Sequence, residues 1–192
     1  MDKKILVHSR IIRICHWLFA FSVILLITSG LYSHYPVKFG NFYDMKTNVF
    51  IQIAVAFFAT GVFTVWVYYN LMTEAYKDLW FKPRDIIDFK GLLKYYLFIE
   101  KNPPYYGKYN AGQRIIFSSW VLVFIFMALT GIILYMVNFG YILPFAVMLQ
   151  KLRFYHFLGA LWFVGTVPLH IYLVITEDPA KLQAIFTGWI KK

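Results

Sequence analysis

The sequence predicts an all-α integral membrane protein whose four transmembrane helices form one bundle. Its 192 residues are 60% hydrophobic and 21% aromatic, more apolar surface than a soluble domain of this length buries. The apolar residues form four stretches of about 20 or more residues, the length that crosses a bilayer as a helix. These stretches cover residues 11–34, 48–70, 114–137 and 152–175. Nothing else is long enough for a separate core, so we expect a single membrane domain over residues 1–192.

The basic residues predict which side of the membrane the termini face. With four spans, the N-terminus, the loop between the second and third spans and the C-terminal tail share one side. Fifteen of the nineteen Lys and Arg residues lie on that side. Because such residues concentrate in cytoplasmic segments, we expect cytoplasmic termini in a multi-pass protein of a bacterial or archaeal cytoplasmic (inner) membrane. The charge is dispersed outside the spans, so we predict no nucleic-acid partner.

The first span begins with Arg10 and Arg13, whose long side chains reach lipid phosphates or the propionates of a haem. His16 follows about one turn inside the apolar zone, where an ionisable side chain is costly and therefore suggests function. Small residues at 28–30 permit the close approach of a neighbouring helix or a flat ring. His34 ends the stretch on the opposite side of the membrane.

The second span contains Gln52 but no histidine. The loop 71–113 follows, and its segment from Asp85 to Tyr96 has the pattern of an amphipathic surface helix. The sequence GKYNAGQ, residues 107–113, then leads directly into the third span. A polar turn with glycines at a membrane surface fits either an ordinary helix entry or the lining of a quinone headgroup pocket.

The third span repeats the template of the first. An arginine and a glycine lie 17 residues apart in both, Arg13 with Gly30 and Arg114 with Gly131. TSGLY in the first span is echoed by LTGIILY in the third. Phe117 occupies the position of the first span's histidine, so the third span brings no histidine of its own.

The fourth span carries two histidines, His156 and His170, 14 residues apart. That spacing corresponds to about 21 Å along a helix and returns to nearly the same face. Two imidazoles on one face, near opposite sides of the membrane, suit two haems that exchange electrons. Buried core histidines that are merely hydrogen-bonded are the alternative.

His16 and His170 lie at matching depth on two different spans, each about five residues from the cytoplasmic end. A b-type haem in a helical bundle is held by two imidazoles from facing helices, which leaves no open iron position and suits electron transfer. The single cysteine, Cys15, excludes a CxxCH site and with it a covalently attached c-type haem. We therefore predict that His16 and His170 ligate a haem b near the cytoplasmic side.

These stretches resemble the cytochrome b (gamma) subunit of respiratory formate dehydrogenases and of related Ni-Fe hydrogenase and thiosulfate reductase complexes. The resemblance rests on RICHW in the first span, GKYNAGQ before the third and the two histidines of the fourth. It implies a four-helix bundle with two b haems, His16 and His170 at the inner haem and His156 as one ligand of the outer haem. It also implies a menaquinone site beside the inner haem, with these residues: Asn110, Gly112, Gln113 and His170.

The chain departs from that family at the outer haem. The family has a histidine where this chain has Asn48, and an amide is a poor ligand for haem iron. His34 is the best replacement, because it lies 18 residues from His16, about five turns, on the same face of the first span. Met45 and Lys46 are lesser candidates. Basic residues near the outer ends suit the outer propionates: Lys38, Lys46, Lys151 and Arg153.

Together these features predict a membrane-anchoring cytochrome b subunit of a respiratory oxidoreductase of the formate dehydrogenase type. It would pass electrons from an iron–sulfur partner subunit at the outer face through haem b to menaquinone near the inner face. The sequence has no molybdenum, iron–sulfur or flavin motif, so a separate catalytic subunit would oxidise the primary substrate. This chain would be enzymatic only as the quinone-reducing subunit. The alternatives are a cofactor-free membrane anchor and a transporter subunit.

Overall fold

A computed structural model describes residues 4–35, 44–102, 104, 107–142 and 146–191. These ranges form seven helices and two short strands. They are β1 (Lys4–Leu6), α1 (Arg10–His34), α2 (Met45–Met72), α3 (Tyr76–Leu79), α4 (Asp85–Tyr96), α5 (Ala111–Asn138), α6 (Ala146–Thr176), α7 (Pro179–Thr187) and β2 (Trp189–Lys191). The helices α1, α2, α5 and α6 are long and apolar enough to cross a membrane. Each contains one predicted span, so those predictions are confirmed, whereas the two strands were not predicted.

Local signals explain where these helices begin and end. The side chain of Ser9 caps α1 by accepting a hydrogen bond from the backbone N–H of Ile12 at 3.4 Å. The helix α6 continues through Pro168, which lacks the N–H that would bond one turn back. Asp178 caps α7, and Pro179 occupies the first turn of that helix, where a missing N–H costs nothing.

Contacts divide the chain into two compact units. The first unit runs up to Tyr69 and resumes at Phe126, and the second comprises Asn70–Ile125. The first unit therefore holds both strands, α1, α6, α7, most of α2 and the second half of α5. The second unit holds α3, α4, the last residues of α2 and the first half of α5. The expectation of a single membrane domain stays a prediction.

In the first unit the four long helices form a closed ring of contacts. The helices α1 and α6 pack side by side. Asn48 of α2 hydrogen-bonds to α1, and Thr130 of α5 hydrogen-bonds to α6. The rings of Phe57 and Tyr135 join α2 to α5 with their centroids 5.8 Å apart. Each helix thus contacts two others, as in a four-helix bundle, while large apolar side chains such as Phe50 face outward, where lipid would cover them.

The two ends of the chain meet in a structure that we call the terminal clasp, which consists of β1, β2 and α7. The strands pair antiparallel, with Ile5 opposite Ile190. The backbone N–H groups of Val7 and His8 both donate to the carbonyl of Gly188, at 2.8 and 3.2 Å. Both termini therefore lie at the same end of α1 and α6, as an even number of spans requires. That this end faces the cytoplasm stays a prediction.

A buried ion pair organises the second unit. The Nε of Arg114 donates to both carboxylate oxygens of Asp85, at 3.0 and 2.9 Å, and Nη2 also donates to that carboxylate. The Nη1 of Arg114 donates to the carbonyl of Tyr109 at 2.6 Å. Asp85 begins α4, so the helix predicted over residues 85–96 is confirmed and is anchored to α5 by this pair. Its place on the membrane surface stays a prediction. The guanidinium of Arg114 holds the pKa of Asp85 below its usual range.

We expect Asp85→Asn to destabilise the second unit by about 3–5 kcal/mol, because it leaves the guanidinium of Arg114 buried without a counter-charge. Amide hydrogen exchange across residues 70–125 of the purified protein would measure this change. Lys94→Ala is the matched control, because it breaks an exposed pair with Glu100 at 3.5 Å and should cost no more than about 1 kcal/mol.

The ion pair also predicts how this protection depends on pH. The folded-state pKa of Asp85 is lowered, below the value of about 3.9 for an unfolded chain. The stabilisation is therefore complete above about pH 4 and is lost as the pH falls through the folded-state pKa. Asp85→Asn should abolish this acid-dependent loss, and equal protection in the two proteins at neutral pH would contradict the assignment.

Candidate haem and quinone sites

His16 of α1 and His170 of α6 lie at the end of the first unit that carries both termini. His16 lies six residues from the start of α1, and His170 lies six residues before the end of α6. Because α1 and α6 pack side by side, the two histidines lie at matching depth on adjacent helices. Ligation itself stays a prediction.

The surroundings of His16 fit a haem on this side. Its Nδ1 is buried and has no hydrogen-bond partner among the described residues. One turn earlier, Arg13 donates from Nη1 to the carbonyl of Phe186, while its buried Nε likewise has no partner in the described part of the chain. Such an unpaired group costs about 1–3 kcal/mol. A cofactor that binds imidazole and carries acidic groups within reach of Arg13 would reduce this cost.

The terminal clasp covers this end of α1. The ring of Trp17 lies edge-on to that of His16, with centroids 5.1 Å apart, and packs on Phe186 of α7 at 4.7 Å. The tail of the chain thus holds the first turns of α1, including the histidine, in a defined position.

His156 lies toward the other end of α6 and contacts α5. Its Nδ1 is 2.7 Å from the hydroxyl oxygen of Thr130. A Cβ added at Gly131 would lie 3.5 Å from Cε1 of His156, so the ring rests against the α5 backbone. This imidazole is held in one orientation by two consecutive residues of the neighbouring helix.

Asn48 is the position that the resemblance aligns with the second ligand of the outer haem. In the structure its side chain hydrogen-bonds to α1. Its Nδ2 donates to the carbonyl of Ser29 at 2.9 Å and to the hydroxyl of Ser33 at 2.7 Å. The side chain is fully buried, and its Oδ1 has no hydrogen-bond partner among the described residues. The amide thus ties α2 to α1 at this depth.

The proposed replacement ligand, His34, lies at the same end of the first unit as His156. Its ring packs on that of Phe157, the neighbour of His156 in α6, with centroids 4.0 Å apart. His34 is exposed, as are Met45 and Lys46 at the start of α2. Of the remaining basic residues predicted to meet the outer propionates, Lys151 and Arg153 are exposed on α6, and Lys38 lies outside the described residues.

The predicted quinone residues form a reciprocal cap at the start of α5. Asn110 accepts a hydrogen bond at Oδ1 from the backbone N–H of Gln113, at 2.8 Å. Gln113 accepts at Oε1 from the backbone N–H of Asn110, at 3.0 Å. A Cβ added at Gly112 would lie 3.0 Å from Leu92, so this turn packs against α4. His170 belongs to the first unit, so its meeting with the other three residues stays a prediction.

Tyr109 precedes this cap and is fixed by the second unit's ion pair. Its carbonyl accepts from Arg114, and the ammonium of Lys108 lies 5.5 Å from the centre of its ring. Burial, with a contribution from the charge of Asp78, raises the pKa of the Tyr109 phenol to about 12. The phenol therefore stays protonated at neutral pH.

Sequence reasoning missed Thr130 and the partners of Arg114. Thr130 belongs to the repeated small-residue motif, which was taken only as a site of close approach. Its contact with a histidine 26 positions away depends on how α5 is rotated against α6. The equal spacing of Arg13–Gly30 and Arg114–Gly131 was noticed, but Asp85 carried no sign that it would meet the second arginine.

The sequence matches the family described as prokaryotic cytochrome b561 over residues 7–188. It is similar to proteins named "Probable Ni/Fe-hydrogenase B-type cytochrome subunit". The relative from Azotobacter vinelandii is 25% identical over 95% of this chain and 87% of its own length. The relative from Bradyrhizobium diazoefficiens is 26% identical over 96% of this chain and 83% of its own. That from Cupriavidus necator is 24% identical over 98% and 86%, respectively.

Proposed function

Because this chain belongs to the prokaryotic cytochrome b561 family, we propose that it is the cytochrome b subunit of a respiratory complex and passes electrons to menaquinone. The observation that carries this proposal is that His16 and His170 lie on two helices that pack side by side, each six residues from the helix end nearest the termini. The names of its relatives favour a hydrogenase, rather than a formate dehydrogenase, as the catalytic partner.

Different residues serve the two proposed haem sites, one at each end of the first unit. Bound haem b supplies a carrier that takes up and releases one electron at a time. His16 and His170 would hold it at the end with the termini, and Arg13 would offer its buried Nε–H to the acidic groups of the haem. At the other end His156, fixed by α5, would hold the outer haem. The oriented imidazoles and apolar helices would hold both carriers in place.

The catalytic motifs that the sequence lacks indicate which partner subunits it needs, and the positions of the two haem sites indicate where electrons enter and leave. The sequence has no motif for oxidising a primary substrate, so an iron–sulfur subunit delivers electrons from a catalytic subunit at the outer end. Menaquinone would receive them at the second unit, where the cap formed by Asn110 and Gln113 supplies polar groups beside apolar Leu92 and Phe89. Reduction of the quinone consumes protons as well as electrons, and their uptake on the cytoplasmic side makes the step electrogenic.

We expect His16→Ala and His170→Ala each to remove the inner haem, because one imidazole alone cannot complete the axial pair. Reduced-minus-oxidised spectra of the purified variants, with haem extracted as the pyridine haemochrome, would show the loss. His8→Ala is the control, since it removes a histidine of the same end that is outside the predicted ligand set. Full b-haem content in both ligand variants would refute the assignment.

We expect Asn110→Ser to slow the reoxidation of reduced haem by a menaquinone analogue about 10-fold or more, while the haem spectrum stays intact. Serine retains an oxygen that caps α5, so the change removes the amide donor without removing the cap. Stopped-flow absorbance at the haem α-band would measure the rate. Asn102→Ser, in an exposed loop, is the control. Reoxidation at the original rate would place the quinone pocket elsewhere.

The outer haem gives a third prediction. We expect two haems per chain, with His156 and His34 as the outer ligands, and the loss of one haem in His34→Ala. Adding Asn48→His to that variant should restore the haem, because it returns an imidazole to the position that the resembling family uses. Haem counting and redox titration would decide. One haem in the unchanged protein would refute the two-haem proposal, and two haems with unchanged potentials in His34→Ala would reject His34 and favour Met45.

A further inference from the structure

Thr130 is a buried hydroxyl in a membrane span that contacts a predicted haem ligand. It is 5% exposed, and its Oγ1 has three polar neighbours: the carbonyl oxygens of Phe126 and Met127 at 2.8 and 3.2 Å, and Nδ1 of His156 at 2.7 Å. A hydroxyl has one proton to donate and lone pairs with which to accept. Both carbonyls can only accept, whereas Nδ1 of His156 can donate or accept according to its tautomer. A Thr130 proton given to its own helix backbone would leave the hydroxyl oxygen as an acceptor for Nδ1.

That arrangement would give His156 a defined tautomer. The Thr130 oxygen would present a lone pair to the imidazole, and Nδ1 of His156 would carry the hydrogen. A neutral imidazole has one N–H, which would leave the lone pair on Nε2. Nε2 is the ring nitrogen that Thr130 does not contact.

We propose that Thr130 is a positioning residue for the outer haem: its hydroxyl accepts the Nδ1 proton of His156 and leaves Nε2 as the iron-binding atom. This inference rests on the proposed function, which assigns His156 to that haem. A hydrogen bond on the far nitrogen fixes the orientation of a ligating imidazole and raises its basicity. Gly131 contributes by letting the ring lie against the backbone of α5.

The repeated motif of α1 supports this role. Ser29 and Gly30 stand in α1 where Thr130 and Gly131 stand in α5. In α1 the carbonyl of Ser29 accepts from Asn48, the residue at the position of the resembling family's other outer ligand. Each copy of the motif therefore contacts a polar side chain of the following span, through the backbone carbonyl of Ser29 in α1 and through the hydroxyl of Thr130 in α5.

The test uses two substitutions that separate the hydroxyl from the shape of the side chain. Thr130→Val keeps the volume and removes the acceptor, whereas Thr130→Ser keeps the acceptor and removes the methyl group. We expect Thr130→Val to weaken retention of the outer haem about 10- to 100-fold and to raise the midpoint potential of any that remains. Thr130→Ser should restore both. A packing role for the methyl group would give the reverse order.

The control is Thr60→Val, because the Thr60 hydroxyl donates to the carbonyl of Ala56 in its own helix at 2.8 Å, as Thr130 does, without being assigned to either haem. It should change neither haem. Retention of the inner haem in every Thr130 variant would show that the chain still folds.

A readout that needs no haem separates this inference from the proposed function. Nitrogen-15 NMR of histidine-labelled apoprotein, with the His156 signal assigned by His156→Gln, should show the proton on Nδ1. Thr130→Val should shift the equilibrium toward the other tautomer. Loss of haem in His16→Ala beside unchanged outer haem in Thr130→Val would overturn this inference alone. A proton on Nε2 in the unchanged protein would also overturn it. Absence of all haem would refute the proposed function.

Discussion

The hydrocarbon core of a bilayer offers no water, so every polar group in the four long helices needs a partner inside the protein. Most hydroxyls meet this requirement locally. Ser22 donates to the carbonyl of Leu18 one turn back in α1, and Thr60 does the same in α2. Asn48 and His156 cannot be satisfied within one turn of their own helices, and both bond to a neighbouring helix instead. The absence of water, which makes each helix satisfy its own backbone hydrogen bonds, therefore also determines where polar contacts form between the spans.

Those contacts follow the internal repeat of the chain. The Ser29–Gly30 pair receives Asn48 from the next span, and the Thr130–Gly131 pair receives His156 from the next span. A small residue brings two backbones close, and the adjacent serine or threonine supplies the acceptor that a buried donor needs. The amide of Asn48 therefore joins α2 to α1 through the Ser29 carbonyl and the Ser33 hydroxyl.

The pattern of apolar residues was enough to predict the spans, and α4 was predicted from its amphipathic period. The matching depth of His16 and His170 could also be predicted, because depth depends only on position along two antiparallel helices. The contacts of Thr130 and Asp85 were not predicted, because they depend on how each helix is rotated about its axis. The terminal clasp was also not predicted, for a different reason: its strands have three residues each, too few for a period to be recognised.

The helix α6 connects the two ends of the first unit. His156 and His170 are 14 residues apart in this continuous helix, which corresponds to about 21 Å along its axis. The hydrocarbon core is about 30 Å thick, and a single haem near one end would leave most of it to be crossed in one electron transfer. Two carriers held by one helix would shorten that step. The backbone of α6 would set their spacing, and its neighbours would set their orientations, through the clasp over α1 at the end with the termini and through Thr130 of α5 at the other end.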